Sequence, residues 1–162
     1  MSTALPTGED RGECLRREIV EEALRWIDTP FVHQASICGV GTDCVGLIRG
    51  VAWNLGLADV HESNPKYRDL LSYPRRSDSR RMRRDLDRFM VNVPVAEARA
   101  GDVLWFRIGG EDRHVGIITR RGYVVHASHK GGRTMNDGRV LEHRVDPKWK
   151  IIRAWSFPGV GP

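Results

Sequence analysis

The amino-acid sequence predicts an α+β domain in which N-terminal helices pack on a mainly antiparallel sheet of five to six strands. Three segments in the first 90 residues carry apolar side chains at helical spacing. After Pro94 the chain changes to short runs of β-branched and aromatic residues separated by glycine-containing turns. Helices first and strands afterwards is the order typical of an α+β domain. At 162 residues the chain is long enough for one domain with its own hydrophobic core.

Composition along the chain predicts its organisation. We expect residues 1–14 to form a flexible leader, residues 15–157 a single domain, and residues 158–162 a tail. The start of the chain is polar and lacks the apolar segment of a signal peptide. The sequence has no run of about eighteen apolar residues, so we expect no stable insertion into a membrane.

The first two predicted helices flank a long loop. Residues 15–28 are amphipathic, and Pro30 ends this first helix. The loop over residues 30–43 contains Gly39 and Gly41, which allow a sharp turn into the second helix. Long loops that deliver a residue to a helix N-terminus are often functional.

Cys44 begins the second predicted helix. Thr42 or Asp43 can cap this helix and Gly56 can end it, while one face is apolar through Leu47, Ile48, Val51 and Leu55. A thiol in the first turn lies at the positive end of the helix dipole, which lowers the pKa of the thiol. We therefore expect Cys44 to be a reactive nucleophile that iodoacetamide modifies faster than the other cysteines. The alternative is a small buried apolar residue, the commoner role of a free cysteine.

The other two cysteines add no metal or disulfide pattern. Three cysteines are an odd number, so at least one thiol is free. Cys14 lies beside the expected leader and is interpreted as structural or incidental. Cys38 and Cys44 lack the closely spaced partners of a structural zinc site.

A third helix is predicted over residues 77–90. Its apolar stripe is formed by Met82, Leu86, Phe89 and Met90. Its other face, with the preceding turn, carries Arg75, Arg76, Arg80, Arg81, Arg83, Arg84 and Arg88. Interspersed aspartates and the lack of aromatic residues for base stacking favour a solvated face over a nucleic-acid site. The alternative is attraction of this face, helped by the net charge of +5, to an anionic polymer. Residues 58–76 are expected to be irregular and are a candidate wall of a binding groove.

Five strands are predicted over residues 102–107, 114–119, 123–127, 140–145 and 150–157. His114 opens the second strand and His126 lies near the end of the third. In an antiparallel pair with a short turn these positions are neighbours, so we expect the two imidazoles to approach each other.

A helix with Cys44 at its start, packed across this sheet, would complete a Cys–His–His line. Cys44 would then be the nucleophile, with its own backbone N–H as oxyanion donor, His114 the base, and His126 the group that orients His114. Two alternatives stay open: ordinary strand-end histidines, and a zinc site held by the same three residues.

Four motifs in order resemble the NlpC family of cysteine peptidases: Asp43-Cys44-x-Gly46-Leu47, Gly101-Asp102-Val103-Leu104-Trp105-Phe106, His114-Val115-Gly116-Ile117 and Val125-His126-Ala127-Ser128. The resemblance runs from about residue 15 to residue 156. Further upstream, Thr29-Pro30-Phe31, His33-Gln34-Ala35-Ser36 and Gly39-Val40-Gly41-Thr42 resemble the phage and prophage branch of that family.

The resemblance implies a papain-like fold and hydrolysis of peptidoglycan stem peptides, typically between γ-D-glutamyl and a diamino acid such as meso-diaminopimelate. It implies Cys44 as nucleophile, His114 as base and His126 as third polar residue, with no metal or other cofactor. It also implies a phage-tail or phage-like particle protein, made in the cytoplasm and delivered to the cell envelope. Its partners would be particle proteins and not nucleic acid.

Two positions depart from the family pattern. Phe31 stands where many members have tyrosine, and Val45 where many have serine. His33 could substitute for the missing tyrosine hydroxyl. Candidates for oxyanion or substrate contacts are therefore Cys44, Asp43, Phe31, His33 and Ser36. Two other functions stay open: a catalytically silent structural tail component, and an amidase or acyltransferase on the same fold.

Overall fold

The described residues form three α-helices and a six-stranded antiparallel sheet. The computed structural model describes residues 8–57, 79–129 and 137–161. The helices are α1 (Gly8–Arg25), α2 (Cys44–Asn54) and α3 (Ser79–Phe89). The strands are β1 (Ser36–Ile37), β2 (Gly41–Thr42), β3 (Val91–Val93), β4 (Val103–Ile108), β5 (Glu111–Arg120), β6 (Tyr123–Ser128), β7 (Arg139–Arg144) and β8 (Lys150–Ser156).

The strand pairing confirms the predicted α+β class. β1 and β2 form a small hairpin, and the other strands form one sheet in the order β3-β8-β4-β5-β6-β7. Every neighbouring pair in this sheet is antiparallel. Within the described part of the chain, no helix is long and apolar enough to cross a membrane.

The sheet buries a different set of apolar residues on each face. Along β4, Val103 and Trp105 belong to the main core, whereas Leu104 and Phe106 belong to a smaller cluster. This alternation is the period-two pattern of a strand. All three helices contribute to the main core and therefore cover the same face of the sheet; their buried residues include Ile19, Leu47 and Met82.

Helix α1 begins earlier than the sequence predicts, so residues 8–14 are helical and are not a flexible leader. Residues 1–7 of that predicted leader lie outside the described residues. The reason for the early start is tertiary. A Cβ at Gly12 would lie 2.3 Å from the carbonyl oxygen of Val160, so the end of the chain packs directly on the first turns of α1. Val160 is 2% exposed, and residues 158–161 are therefore part of the packed domain and not a tail.

A buried ion pair ties helix α1 to the sheet. Arg16 Nη1 donates to Asp102 Oδ1 at 2.7 Å, and Ser156 Oγ donates to the same oxygen at 2.6 Å. The backbone N–H of Arg99 donates to Asp102 Oδ2 at 2.9 Å. Gly101, the residue before, has a φ of 89°, a left-handed conformation that favours glycine. The Gly-Asp motif of the sequence thus has a structural role beneath α1.

Helix α3 packs through its apolar stripe as predicted, with Met82, Leu86 and Met90 buried. Two arginines on its outer side pair with aspartates one turn later: Arg81 with Asp85 at 3.9 Å and Arg83 with Asp87 at 3.5 Å. These ion pairs agree with the predicted solvated face. Arg75, Arg76 and the predicted irregular segment lie outside the described residues.

Candidate active site

The Asp43 side chain holds the turn that leads into helix α2. Asp43 is the N-cap, and its Oδ1 accepts the N–H of Gly46 at 2.8 Å, which confirms the predicted cap. Its Oδ2 accepts the N–H of Gln34 at 2.7 Å and lies 3.5 Å from His33 Nδ1. One buried carboxylate therefore joins the loop to the helix start and sets the direction in which Cys44 enters the helix.

Gly46 allows the loop to pack against the first turn of α2. A Cβ at this position would lie 1.9 Å from the carbonyl oxygen of Ala35, so no larger residue fits unless the backbone moves. Ser36 Oγ donates to the carbonyl oxygen of Gly46 at 2.5 Å from the same loop. At the other end of the helix, Gly56 has a φ of 67° and its N–H donates to the carbonyl of Trp53, which confirms the predicted left-handed helix end.

The Cys44 sulfur lies between the N-terminus of α2 and strand β5. The backbone N–H groups of Val115, the residue after His114, and of the first helical turn lie close enough to the sulfur to lower its pKa. The β5–β6 ladder runs as far as the pair Ile117–Val125, and Val115 lies beyond that end. Cys44 thus contacts the sheet where β5 and β6 separate, next in sequence to the predicted base.

Burial, and to a smaller extent the negative charge of Asp43, raise the pKa of the Cys44 thiol to about 12. The backbone N–H groups around the sulfur lower this pKa, but by less. The expectation of a lowered pKa is therefore wrong. The helix N-terminus acts in the predicted direction, and loss of water around the sulfur outweighs it. At neutral pH the thiol carries its proton.

His114 and His126 lie together on the neighbouring strands β5 and β6, as predicted, but β5 begins at Glu111, so His114 does not open its strand as the sequence predicts. His114 Nε2 is 2.7 Å from His126 Nδ1, and the two rings are inclined at 89°. Gly116 makes room for this contact, because a Cβ there would lie only 3.1 Å from the His126 Cβ. The His114 ring centroid lies 6.3 Å from that of Phe106, which belongs to the smaller cluster. Phe106 and His114 are partners across β4 and β5, so their side chains lie on the same side of these two strands.

A third histidine, His143 on β7, joins this pair. Its Nε2 lies 2.5 Å from His126 Nε2, and its Nδ1 lies 2.6 Å from the backbone carbonyl oxygen of Arg144. Trp149 packs against all three imidazoles, with ring-centroid distances of 5.4, 5.2 and 5.3 Å to His114, His126 and His143. The structure thus extends the predicted pair of histidines to a hydrogen-bonded row of three.

Sequence reasoning missed His143 because the register between β6 and β7 is not readable from the chain. Residues 129–138 connect these strands, and a connection of that length does not fix the pairing. The structure pairs Val124 with His143 and His126 with Leu141, which puts the two histidines on the same face. The available signal was a further histidine on the strand predicted over residues 140–145.

Burial lowers the pKa of His126 to about 3, and a positive charge on His114 or His143 would also disfavour its protonation. His126 is therefore neutral near neutral pH. A neutral imidazole has one N–H donor and one acceptor nitrogen, which suits a row of ring-to-ring hydrogen bonds.

The zinc alternative gains no support from the geometry. Among residues 8–57, 79–129 and 137–161, no group of three or more His, Cys, Asp or Glu side chains is arranged to hold a metal ion. His114 Nε2 and His126 Nδ1 are instead directed at each other.

The remaining predicted site residues lie on or beside the loop before α2. The ring of Phe31 packs on that of His129, the first residue after β6, with centroids 3.7 Å apart. His33 lies beside the capping carboxylate of Asp43. Contacts with a substrate stay predictions for all of these residues: Asp43, Phe31, His33 and Ser36.

The family of this domain follows from a comparison with known protein families. Residues 28–145 match the model of the NlpC/P60 family. The chain belongs to the NlpC/P60 family. The part of the chain that matches the NlpC/P60 model contains Cys44, His114, His126 and His143. The family resemblance carried by the four sequence motifs is thus confirmed.

Solved structures, among them an NlpC/p60 domain, share this fold. The NlpC/p60 domain of the peptidoglycan hydrolase SagA has a TM-score of 0.57 and 24% identity, over 88% of this chain and 98% of that one. NlpC2 from Trichomonas vaginalis has a TM-score of 0.58 and 15% identity, over 88% and 46%. The peptidoglycan hydrolase RipB from Mycobacterium tuberculosis has a TM-score of 0.54 and 19% identity, over 96% and 73%. Comparison with curated proteins found no match.

Proposed function

We propose that this NlpC/P60 domain is a cysteine endopeptidase that cleaves peptidoglycan stem peptides between γ-D-glutamyl and a diamino acid such as meso-diaminopimelate. The observation that carries the proposal is the geometry at the start of β5. His114 Nε2 and His126 Nδ1 are 2.7 Å apart, and the N–H of Val115, next to His114, lies close enough to the Cys44 sulfur to lower its pKa. Nucleophilic acyl transfer requires a thiol, a base and a group that orients the base, and Cys44, His114 and His126 are residues of these types.

Two observations support peptidoglycan as the substrate class. The solved relatives SagA and RipB are described as peptidoglycan hydrolases. The four motifs around Cys44, Gly101, His114 and Val125 resemble peptidases that act on cell-wall stem peptides. The choice of the γ-D-glutamyl bond rests on that resemblance.

In the proposed reaction His114 acts as a general base. Because the Cys44 thiol is protonated at neutral pH, its proton passes to His114 as the sulfur–carbon bond forms at the scissile carbonyl. The carbonyl oxygen becomes an oxyanion, for which the backbone N–H of Cys44 at the helix N-terminus is the donor. His126 holds the His114 ring in position through their hydrogen bond.

The second half of the reaction uses the same groups. Protonated His114 gives its proton to the amine nitrogen of the diamino acid as the carbon–nitrogen bond breaks, which leaves a thioester on Cys44. Water then attacks the thioester while His114 accepts the water proton, and that proton returns to the departing sulfur. The products are a free γ-D-glutamyl carboxylate and the original thiol.

Digestion of purified murein that contains meso-diaminopimelate tests this proposal. We expect the protein to release fragments with a new amino terminus on the diamino acid, detected by liquid chromatography and mass spectrometry. Cys44→Ala should lower the rate by a factor on the order of 10⁴ or more, because no other group replaces the nucleophile. Cys38→Ala is the matched control, since the Cys38 thiol donates to the carbonyl of Arg25 and takes no part in the scheme.

Other outcomes point to the alternatives. No release by the unchanged protein, or equal release by the Cys44→Ala variant, would contradict the enzyme proposal and favour a silent structural component. Cleavage of the lactyl-amide bond would identify an amidase, and transfer of the acyl group to an added amine or alcohol would identify an acyltransferase.

We also propose, from the motifs over residues 29–42 alone, that the protein acts as part of a phage-tail or phage-like particle that carries it to the cell envelope. Gradient purification of particles from producing cells, followed by mass spectrometry, tests this association. Its consistent absence from intact particles would contradict the association without affecting the enzyme proposal.

A further inference from the structure

We propose that His143 is a positioning residue that sets the tautomers of His126 and His114, so that His114 keeps an acceptor nitrogen for the Cys44 proton. The catalytic meaning of this arrangement rests on the proposed function. The order of the hydrogen bonds does not, because for neutral rings it follows from the donors and acceptors themselves.

The backbone carbonyl of Arg144 fixes which nitrogen donates in the first hydrogen bond of the histidine row. A carbonyl oxygen only accepts hydrogen bonds, so His143 Nδ1, at 2.6 Å from it, must carry a proton. In a neutral imidazole the other nitrogen is then the acceptor, and this is His143 Nε2. His126 Nε2, at 2.5 Å, must therefore carry the proton of its own ring and donate it.

The same rule of one donor and one acceptor per neutral ring assigns the donor in the hydrogen bond between His126 and His114, the predicted base. Since His126 is neutral and its Nε2 donates, His126 Nδ1 is an acceptor. His114 Nε2, at 2.7 Å, must then be the donor of that hydrogen bond. A neutral His114 with its proton on Nε2 has its lone pair on Nδ1, which is the atom able to take a proton from the Cys44 thiol.

Without His143, the pair of His114 and His126 has no fixed direction. Two neutral imidazoles can share a hydrogen bond either way round, and in the reversed order His114 Nδ1 carries a proton and cannot act as a base. The carbonyl of Arg144 removes this ambiguity because a backbone oxygen cannot become a donor. Trp149 packs against all three rings and keeps the row together.

Nuclear magnetic resonance of the ¹⁵N-labelled protein tests the order directly. Long-range ¹H–¹⁵N correlations distinguish protonated from unprotonated ring nitrogens. Near neutral pH we expect the proton on Nε2 in His114 and His126, and on Nδ1 in His143. A proton on Nδ1 of His114 would overturn the proposal. This measurement needs no turnover, so it decides the order whether or not murein is cleaved.

Two variants of His143 test the catalytic consequence. Leucine has a similar size and removes both nitrogens, whereas glutamine offers Oε1 as an acceptor for His126 Nε2–H. We expect His143→Leu to lower kcat on the stem peptide by at least about tenfold, with little change in KM and with mixed tautomers at His114. The upper bound is about 10⁴-fold, the loss caused by a wrong tautomer in a serine triad.

His143→Gln should recover most of the lost rate together with the Nε2 proton of His114. Equal kcat in the unchanged protein and the His143→Leu variant would overturn the proposal. Equal losses in both variants with unchanged tautomers would also overturn it, because the role would then be structural. If the leucine variant does not fold, the ring tautomers measured in the unchanged protein still test the proposed order of hydrogen bonds.

Discussion

Lowering the pH from about 7 to about 5 should destabilise the fold through His126. Burial holds the pKa of His126 at about 3 in the folded protein, whereas the residue titrates at 6.5 when exposed in the unfolded chain. As the pH falls below 6.5, the unfolded chain binds a proton here and the folded protein does not. The stability associated with neutral His126 is therefore complete above this value and is lost progressively as the pH falls towards about 3.

The magnitude follows from the difference between the two pKa values. Each pH unit between them changes the free energy of unfolding by about 1.4 kcal/mol. The step from 6.5 to about 5 therefore lowers this free energy by about 2 kcal/mol. The folded pKa lies so far below this window that the figure hardly depends on its value. The whole free energy of unfolding of a domain is typically about 5–15 kcal/mol, so this loss is a substantial fraction of it.

Urea unfolding over a series of pH values, for the unchanged protein and for His126→Asn, measures this effect. Asparagine keeps a donor and an acceptor but does not titrate, and the other histidines and the carboxylates titrate in both proteins. We expect the difference in free energy of unfolding between the two proteins to change by about 2 kcal/mol between neutral pH and about pH 5. A difference that stays constant over this range would refute the conclusion that the fold keeps His126 neutral.

Two further predictions concern the sheet anchor and the thiols. Asp102→Ala should lower the free energy of unfolding by about 3–5 kcal/mol, because it leaves the Arg16 guanidinium buried without its carboxylate; the exposed ion-pair variant Arg99→Ala should lose about 1 kcal/mol or less. Equal losses in urea unfolding would contradict this reasoning. Iodoacetamide at neutral pH should modify the exposed Cys14 before Cys44, as followed by peptide mass spectrometry, because burial keeps the Cys44 thiol protonated. Faster labelling of Cys44 would show that a thiolate forms despite burial.

Local patterns predicted the elements that position the site. The Asp43 cap and the left-handed Gly56 are properties of a few consecutive residues, and both are found. The approach of His114 and His126 was predictable because a short turn between two strands leaves little freedom in their pairing. These features depend on neighbours in sequence, which a single chain displays directly.

Predictions that depended on residues far apart in the sequence were wrong or incomplete. The early start of α1 depends on Val160 packing over Gly12, at the far end of the chain. The place of His143 depends on how β7 pairs with β6 after a ten-residue connection over residues 129–138, which no local pattern specifies. Both needed the packed fold, because packing brings together residues that the sequence separates.

Cys44 has some properties that the sequence predicts and others that only the tertiary structure reveals. The sequence by itself predicted that this thiol lies at a helix N-terminus and that His114 and His126 approach each other on neighbouring strands. Only the tertiary structure decided the charge of the thiol at rest and the direction of the histidine row. The physical reason is that desolvation depends on all surrounding atoms. The tautomers of His114 and His126 depend on the last acceptor of the row, the Arg144 carbonyl, which lies on β7 and not on their own strands.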